Sequence, residues 1–191
     1  MANITNLQKP DAAERTTTSA SLVEITQRTI AWAALTTAGF AASDDVFIIL
    51  TFGLDSNSST NRAICNFGHG TTFAGRTDFF PVSPEVEAQD VDALVGGRHL
   101  GWVIDHTLVV NELFYFSLAI PAASTARSAN FNVTIIKKGD LAAGDWRYSQ
   151  VANAIALDGT YATGRDAQIT LPAAGGDDWL IIGGSGAILI S

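Results

Sequence analysis

The sequence predicts an all-β fold, an antiparallel β-sandwich of jelly-roll type, on three observations. Short runs rich in Val, Ile, Phe and Thr recur along the 191 residues. Clusters of Gly, Ser, Asn and Asp separate them, with 17 glycines in the chain. Nowhere does a strand-like run alternate with a long amphipathic helix, which argues against an α/β fold. Nine or ten strands are expected at intervals of about a dozen residues. Length and pattern fit a single sandwich domain over residues 22–191, preceded by an extended arm over residues 1–21.

The chain is organised around Ser43 to Asp55. Val46-Phe47-Ile48-Ile49-Leu50-Thr51-Phe52 has almost no polar break, the signature of a strand covered on both faces. Asp177-Asp178-Trp179-Leu180-Ile181-Ile182 repeats the figure near the end, so two central strands are expected. The aspartate pairs 44/45 and 177/178 precede those strands and read as turn residues bonding their own backbone.

Taken in order, residues 1–21 are dense in Thr, Ser, Asn and Ala without periodicity. They read as a frayed terminus or as an arm ordered only against a neighbouring subunit. On the second reading, removing residues 2–20 leaves the fold intact. Leu22 to Trp32 alternates with a slip of parity, as two short strands or a bulge would. Ala33 to Ser43 is a loop of small residues, and Arg62 to Phe67 is expected to pair with the central strand across the turn Asp55–Asn61. Gly68-His69-Gly70 turns the chain into Thr71 to Phe80.

Residues 81–97 interrupt the pattern as one long loop or short helix. Ser83-Pro84-Glu85 resembles a helix start. Strands resume at His99–Val110 and Leu113–Ile120. Phe131, Val133 and Ile135 alternate with polar residues in the clearest half-buried strand, closed by Lys137-Lys138-Gly139-Asp140. Trp146–Leu157, Gln168–Leu171 and a last strand broken by Gly183-Gly184-Ser185-Gly186 complete the count.

Composition narrows function. Hydrophobic residues reach 47% and charged residues 16%, ample for a core. The net charge of −8 opposes binding to nucleic acid, whose affinity comes from cations on phosphates, and favours a partner with a basic surface. The lone Cys65 reads as a buried thiol, consistent with synthesis in a reducing cytoplasm. The polar first twenty residues have no apolar stretch of signal-peptide type, and no apolar run reaches the ~20 residues of a spanning helix, so no membrane partner is expected.

No catalytic, cofactor-binding or metal residue is expected. His99 and His106 fall on opposite faces of one strand, and zinc needs three or four convergent ligands, so His69, His99 and His106 read as structural or surface groups. Asp105 shares a face with His99, but no nucleophile accompanies the pair. Gly183-Gly184-Ser185-Gly186-Ala187 echoes a hydrolase elbow without the helix or histidine that must follow. Glu85, Glu87, Asp90 and Asp92 lack the spacing of a calcium loop and read as a solvated acidic loop. Trp102, Trp146, Tyr148 and Tyr161 would serve a sugar-stacking platform or, more simply, the core. The sequons at Asn57 and Asn132 carry no weight without a secretory signal.

The run Asp44-Asp45-Val46-Phe47-Ile48-Ile49 through Leu54-Asp55-Ser56-Asn57-Ser58, then Asn61-Arg62-Ala63 and Gly70-Thr71-Thr72, resembles small β-sandwich virion proteins of tailed bacteriophages. Asp177 to Ser185 is similar in style, whereas Pro81–Gly97 has no counterpart there. The resemblance implies a non-enzymatic structural protein of the particle, made in the host cytoplasm. It would be a capsid decoration (cement) protein that docks on major capsid subunits and forms a symmetric oligomer, often a trimer. The alternative is a carbohydrate-binding tail or fibre module for host attachment. No cofactor is implied.

Overall fold

The computed structural model describes residues 4–58, 60–80, 83, 85–86, 98–121 and 124–141. The expected C-terminal strands, the second aspartate pair and most of the 81–97 interruption lie outside them. Within them the expected all-β class is found, as two antiparallel sheets with little helix.

Ten strands appear among the described residues: β1 (Asn6–Asp11), β2 (Arg15–Thr17), β3 (Val23–Glu24), β4 (Asp45–Ser56), β5 (Ala63–Gly70), β6 (Thr77–Asp78), β7 (Glu85–Val86), β8 (Arg98–Thr107), β9 (Leu113–Ala119) and β10 (Ala126–Lys137). The first sheet runs β1-β10-β4-β8, with β2 also on β10; the second runs β3-β9-β5-β6, with β7 also on β5. The chain changes sheet from β2 to β3, from β3 to β4, from β4 to β5, from β7 to β8, from β8 to β9 and from β9 to β10. Such crossings make a jelly-roll-like sandwich rather than two stacked meanders.

The organising strand takes the central place its composition requires. β4 lies between β10 and β8, and Val46, Ile48, Leu50, Phe52 and Leu54 are buried on one parity, with Phe47 buried on the other. Phe114, Phe116 and Leu118 of β9, Cys65 and Phe67 of β5, and Phe131, Val133 and Ile135 of β10 belong to the same core. Burial of the Cys65 thiol pushes its pKa up, so the group behaves as a small apolar side chain.

Four expectations are corrected. The segment expected to be a free arm forms β1 and β2, which follow each other along one edge of β10 from Asn6↔Ile136 to Thr17↔Ala126. An edge strand tolerates Pro10, which has no N–H to donate. Strand β5 does not pair with β4. The turn after β4 is instead a crossing loop, in which Ser56 Oγ donates to Asn61 O (2.6 Å) and Asn57 is tied to Thr125. The loop expected over 33–43 begins with a helix, α1 (Trp32–Thr37), that buries Leu35 and is closed by Gly39 at φ +97°. Finally, Glu85–Val86 is not the start of a helix but pairs with Ala63–Ile64 of β5.

The parity slip before α1 has a structural cause. After β3 the chain makes a 3₁₀ turn over Thr26–Arg28 and returns to β9 through a single bridge, Ile30↔Phe114. That turn carries Arg28 into the interior, where it is fully buried. Its guanidinium donates to Asp11 Oδ2 (3.0 Å), Ser128 Oγ (2.7 Å), Ser128 O (2.9 Å) and Ala13 O (3.1 Å). It also lies over the rings of Phe131 (4.9 Å) and Phe116 (5.1 Å), one from each sheet.

Beside this clamp β10 changes register between Ala129 and Asn132, and Asn130 takes φ +53°. Ser128 Oγ passes the network on to Gly53 O of β4 (2.7 Å).

Replacing Arg28 by Ala leaves Asp11 with Arg15 alone and takes the guanidinium from Ser128 and the Ala13 carbonyl at a fully buried position, so the expected loss of unfolding free energy in urea is about 3 kcal/mol. Arg28→Lys recovers only a minor part, because one ammonium cannot reproduce a planar fork with four acceptors. Equal stability of the lysine variant and the unsubstituted protein would show that the fork is not what matters.

Candidate functional site

A second polar cluster joins the two sheets at the opposite end of β4. His106, on the same inward parity of β8 as Leu100, Trp102 and Ile104, is registered against Val46. His69 lies on β5 opposite Phe114 of β9. Between them Glu112 enters from the β8–β9 turn, with only 2% of its surface exposed.

Both imidazoles point a ring nitrogen at this one carboxylate. Nδ1 of His69 is 2.5 Å from Glu112 Oε1, and Nε2 of His106 is 2.9 Å from Oε2 and 3.0 Å from Oε1. The Val109 backbone N–H donates to Glu112 Oε2 at 3.2 Å and fixes the carboxylate. The ring of Phe79 stacks on His69 (4.7 Å) and meets His106 edge-on (5.3 Å), and Phe114 packs edge-on against His106. The side chains of His69 and His106 keep 23% and 11% exposure, so the cluster is walled by aromatics but not sealed from solvent.

Burial would raise the Glu112 carboxyl. The hydrogen bonds from His106, then His69 and the Val109 N–H outweigh it and hold the pKa down to about 2. The cluster is thus an ionised carboxylate between two imidazole donors. Three candidate ligand atoms converge from two strands and a turn, all within 4.8 Å of one another.

The same carboxylate shapes the turn above it. Glu112 N donates to Val109 O (3.2 Å), and Asn111 takes the φ of +61° that asparagine tolerates in a tight turn. Leu108 exchanges backbone bonds with Ser43 and Asp44, which anchors the turn to the start of β4. Val109 and Val110 at its tip are 55% and 56% exposed.

The sequence separates these residues. It sets His106 against His99, and Asp105 beside His99, whereas Asp105 in fact accepts from Lys138. His106 and Glu112 flank one tight turn, so their meeting has a local signal. His69 comes from a strand of the other sheet, and nothing local announces it. The expectation that Asp44 bonds its own backbone holds, through Ala41 N to Oδ2, whereas Asp45 accepts from Thr107 across the sheet.

Of the aromatics weighed for a sugar platform, Trp102 lies on the core-facing parity, stacked on Phe52 (5.5 Å) and packed at a tilt against Phe80 (4.6 Å). Trp146, Tyr148 and Tyr161 lie outside the described residues.

No protein-family model matches the chain, and no curated protein matches it in sequence. Among solved structures it is similar to dimeric latent PorU from Porphyromonas gingivalis, with TM-score 0.46, 9% identity, and coverage of 71% of this chain and 13% of that one. It is also similar to a structure of infectious bursal disease virus Gx strain, with TM-score 0.43, 8% identity, and coverage of 73% and 33%. A third likeness is to the CBM22-1 xylan-binding domain of Paenibacillus barcinonensis Xyn10C, with TM-score 0.37, 10% identity, and coverage of 71% and 96%. The chain thus spans well under two thirds of the first two proteins. At these values no function transfers.

The Glu112 pKa gives a direct expectation for acid stability. A folded pKa of about 2 against an ordinary 4.5 contributes stability that is complete above pH 4.5 and is lost as pH falls from 4.5 to 2. Glu112→Gln should lower the unfolding free energy at pH 7 by about 2 kcal/mol, the scale of a charged hydrogen bond. It should also flatten the acid limb between those two pH values. A variant with the same acid limb as the unsubstituted protein would contradict the assignment.

Proposed function

We propose that the chain is a non-enzymatic structural protein of a tailed-bacteriophage particle, a decoration protein that docks on the major capsid subunits. At the coarser level the fold is an antiparallel β-sandwich of a kind suited to structural or binding roles. The observation that carries the docking reading is the β8–β9 turn. It presents two exposed valines on a backbone fixed by Glu112, Asn111 and the Ser43–Asp44 loop.

A pre-ordered apolar tip loses little entropy on binding, which is what a small clamp on a larger surface requires. The net charge of −8 supports a partner with a basic face. The N-terminal segment does not supply the docking arm, since residues 6–17 are committed to β10. The carbohydrate-binding alternative gains no support from Trp102, which is stacked on the core ring of Phe52 and packed against the half-buried Phe80. Assembly with copies of itself, as a trimer, belongs to the same reading, and light scattering against the 20.1 kDa chain mass tests it.

The docking test is co-sedimentation of the purified protein with capsid shells of the phage that encodes it. The Val109→Ser/Val110→Ser variant should lose at least about tenfold in affinity, which is 1.4 kcal/mol. Its unfolding transition should stay within about 0.5 kcal/mol, as for an exposed site. Failure of the unsubstituted protein to sediment with the shells, or full binding by the variant, would overturn the reading.

A further inference from the structure

We propose that His69, His106 and Glu112 form a binding site for one divalent transition-metal ion of the zinc class. The ligands would be Nδ1 of His69, Nε2 of His106 and a carboxylate oxygen of Glu112. This inference is independent of particle docking and stands on the geometry of the cluster.

The first support is convergence. Three ligand atoms from β5, β8 and the β8–β9 turn lie within 4.8 Å of one another, and both imidazoles aim at a single carboxylate. A hydrogen-bonded core histidine needs one acceptor, whereas two rings meeting on one ionised group also make a pocket for a cation. Ligands about 2.0–2.2 Å from a tetrahedral ion stand a little over 3 Å apart, so the widest pair closes by no more than about 1.5 Å. The ion would take the place of the hydrogen bonds that now join the two rings to Glu112.

The second support is the donor set. Two imidazoles and one carboxylate suit zinc, cobalt(II), nickel(II) or copper(II). Calcium and magnesium require more oxygen ligands than the cluster offers. The carboxylate cancels one of the two positive charges, and the net charge of −8 attracts the rest.

The surroundings match what a metal site needs beyond its ligands. The Val109 N–H orients Glu112, as outer partners do in metal centres. Phe79 and Phe114 exclude water from one side and strengthen the electrostatics there. His69 keeps 23% of its side chain exposed, so the cluster is not sealed from solvent, and a zinc ion held by three protein ligands takes a water as its fourth. Binding would close the β5–β8 contact and stiffen the turn that carries Val109 and Val110.

The full chain, dialysed against chelator and then against buffer, is titrated with zinc chloride by calorimetry and with cobalt chloride by absorption spectroscopy. One equivalent of either ion is expected, with the visible bands of four-coordinate cobalt. A rise in the thermal midpoint with zinc should be reversed by EDTA. His69→Gln and His106→Gln should each weaken zinc binding at least ~10-fold, since even the loss of a ligand's supporting partner does as much.

Because either variant could weaken the fold, the unsubstituted protein provides a second readout. The ¹⁵N resonances of His69 Nδ1 and His106 Nε2 should move on addition of zinc. No zinc binding, or zinc binding with those two nitrogens unmoved, overturns the proposal.

Discussion

A guanidinium sealed from water holds this sandwich together. Taking an arginine out of solvent costs several kcal/mol unless its charge and donors are met. Arg28 meets that condition by collecting acceptors from parts of the chain that are far apart in sequence. Asp11 ends β1, Ala13 lies in the link to β2, and Ser128 stands beside the bulge of β10. The flanking rings, Phe116 and Phe131, come from different sheets. The cluster therefore fixes four features together: the edge strand β1, the turn after β3, the register shift in β10 and the spacing of the sheets. Asp11 shares its carboxylate with Arg15 as well. The Arg15 hydrogen bond, helped by Arg28 and opposed by burial, holds its pKa down to about 2.

The His69–Glu112–His106 cluster repeats the principle at the other end of the same strand. Gly53 receives the Ser128 hydroxyl, and Val46 is registered against His106. These two β4 residues are about 23 Å apart at the usual rise of an extended chain. Between the two polar ties an apolar cluster joins the sheets, Ile48, Leu50 and Phe52 among its members. Apolar packing sets how strongly the sheets associate, because it scales with buried area and has little direction. The polar ties set the register, because an unmatched buried charge is costly.

Much of this was legible in the sequence, and the division follows a physical line. Strands β4, β8, β9 and β10 carry their own signals, since a covered strand must be apolar and a half-covered one must alternate. The segment Asn6–Asp11 has no such signal. An edge strand needs only one neighbour, and its polar Asn-Leu-Gln-Lys-Pro-Asp reads as a tail until the unpaired edge of β10 is known. The turn after β4 is rich in Ser and Asn, as a hairpin turn would be, yet it carries the chain to the other sheet. Arg28 stands in Thr-Gln-Arg-Thr, a context that reads as solvated. Local chemistry specifies which segments are strands, while pairing partners and buried charges depend on contacts a hundred residues away.

The most direct measurement of the central claim is native-state hydrogen exchange on the unsubstituted protein, resolved by residue. If Arg28 makes the first strand part of the sandwich, the bonded amides of Asn6–Asp11 should open only in large unfolding events. Their protection should then be comparable to that of β10 amides from Phe131 to Ile136. Exchange of the β1 amides at the fast rate of a frayed terminus, with β10 still protected, would contradict the account. The buried arginine would then decorate the sandwich rather than hold it.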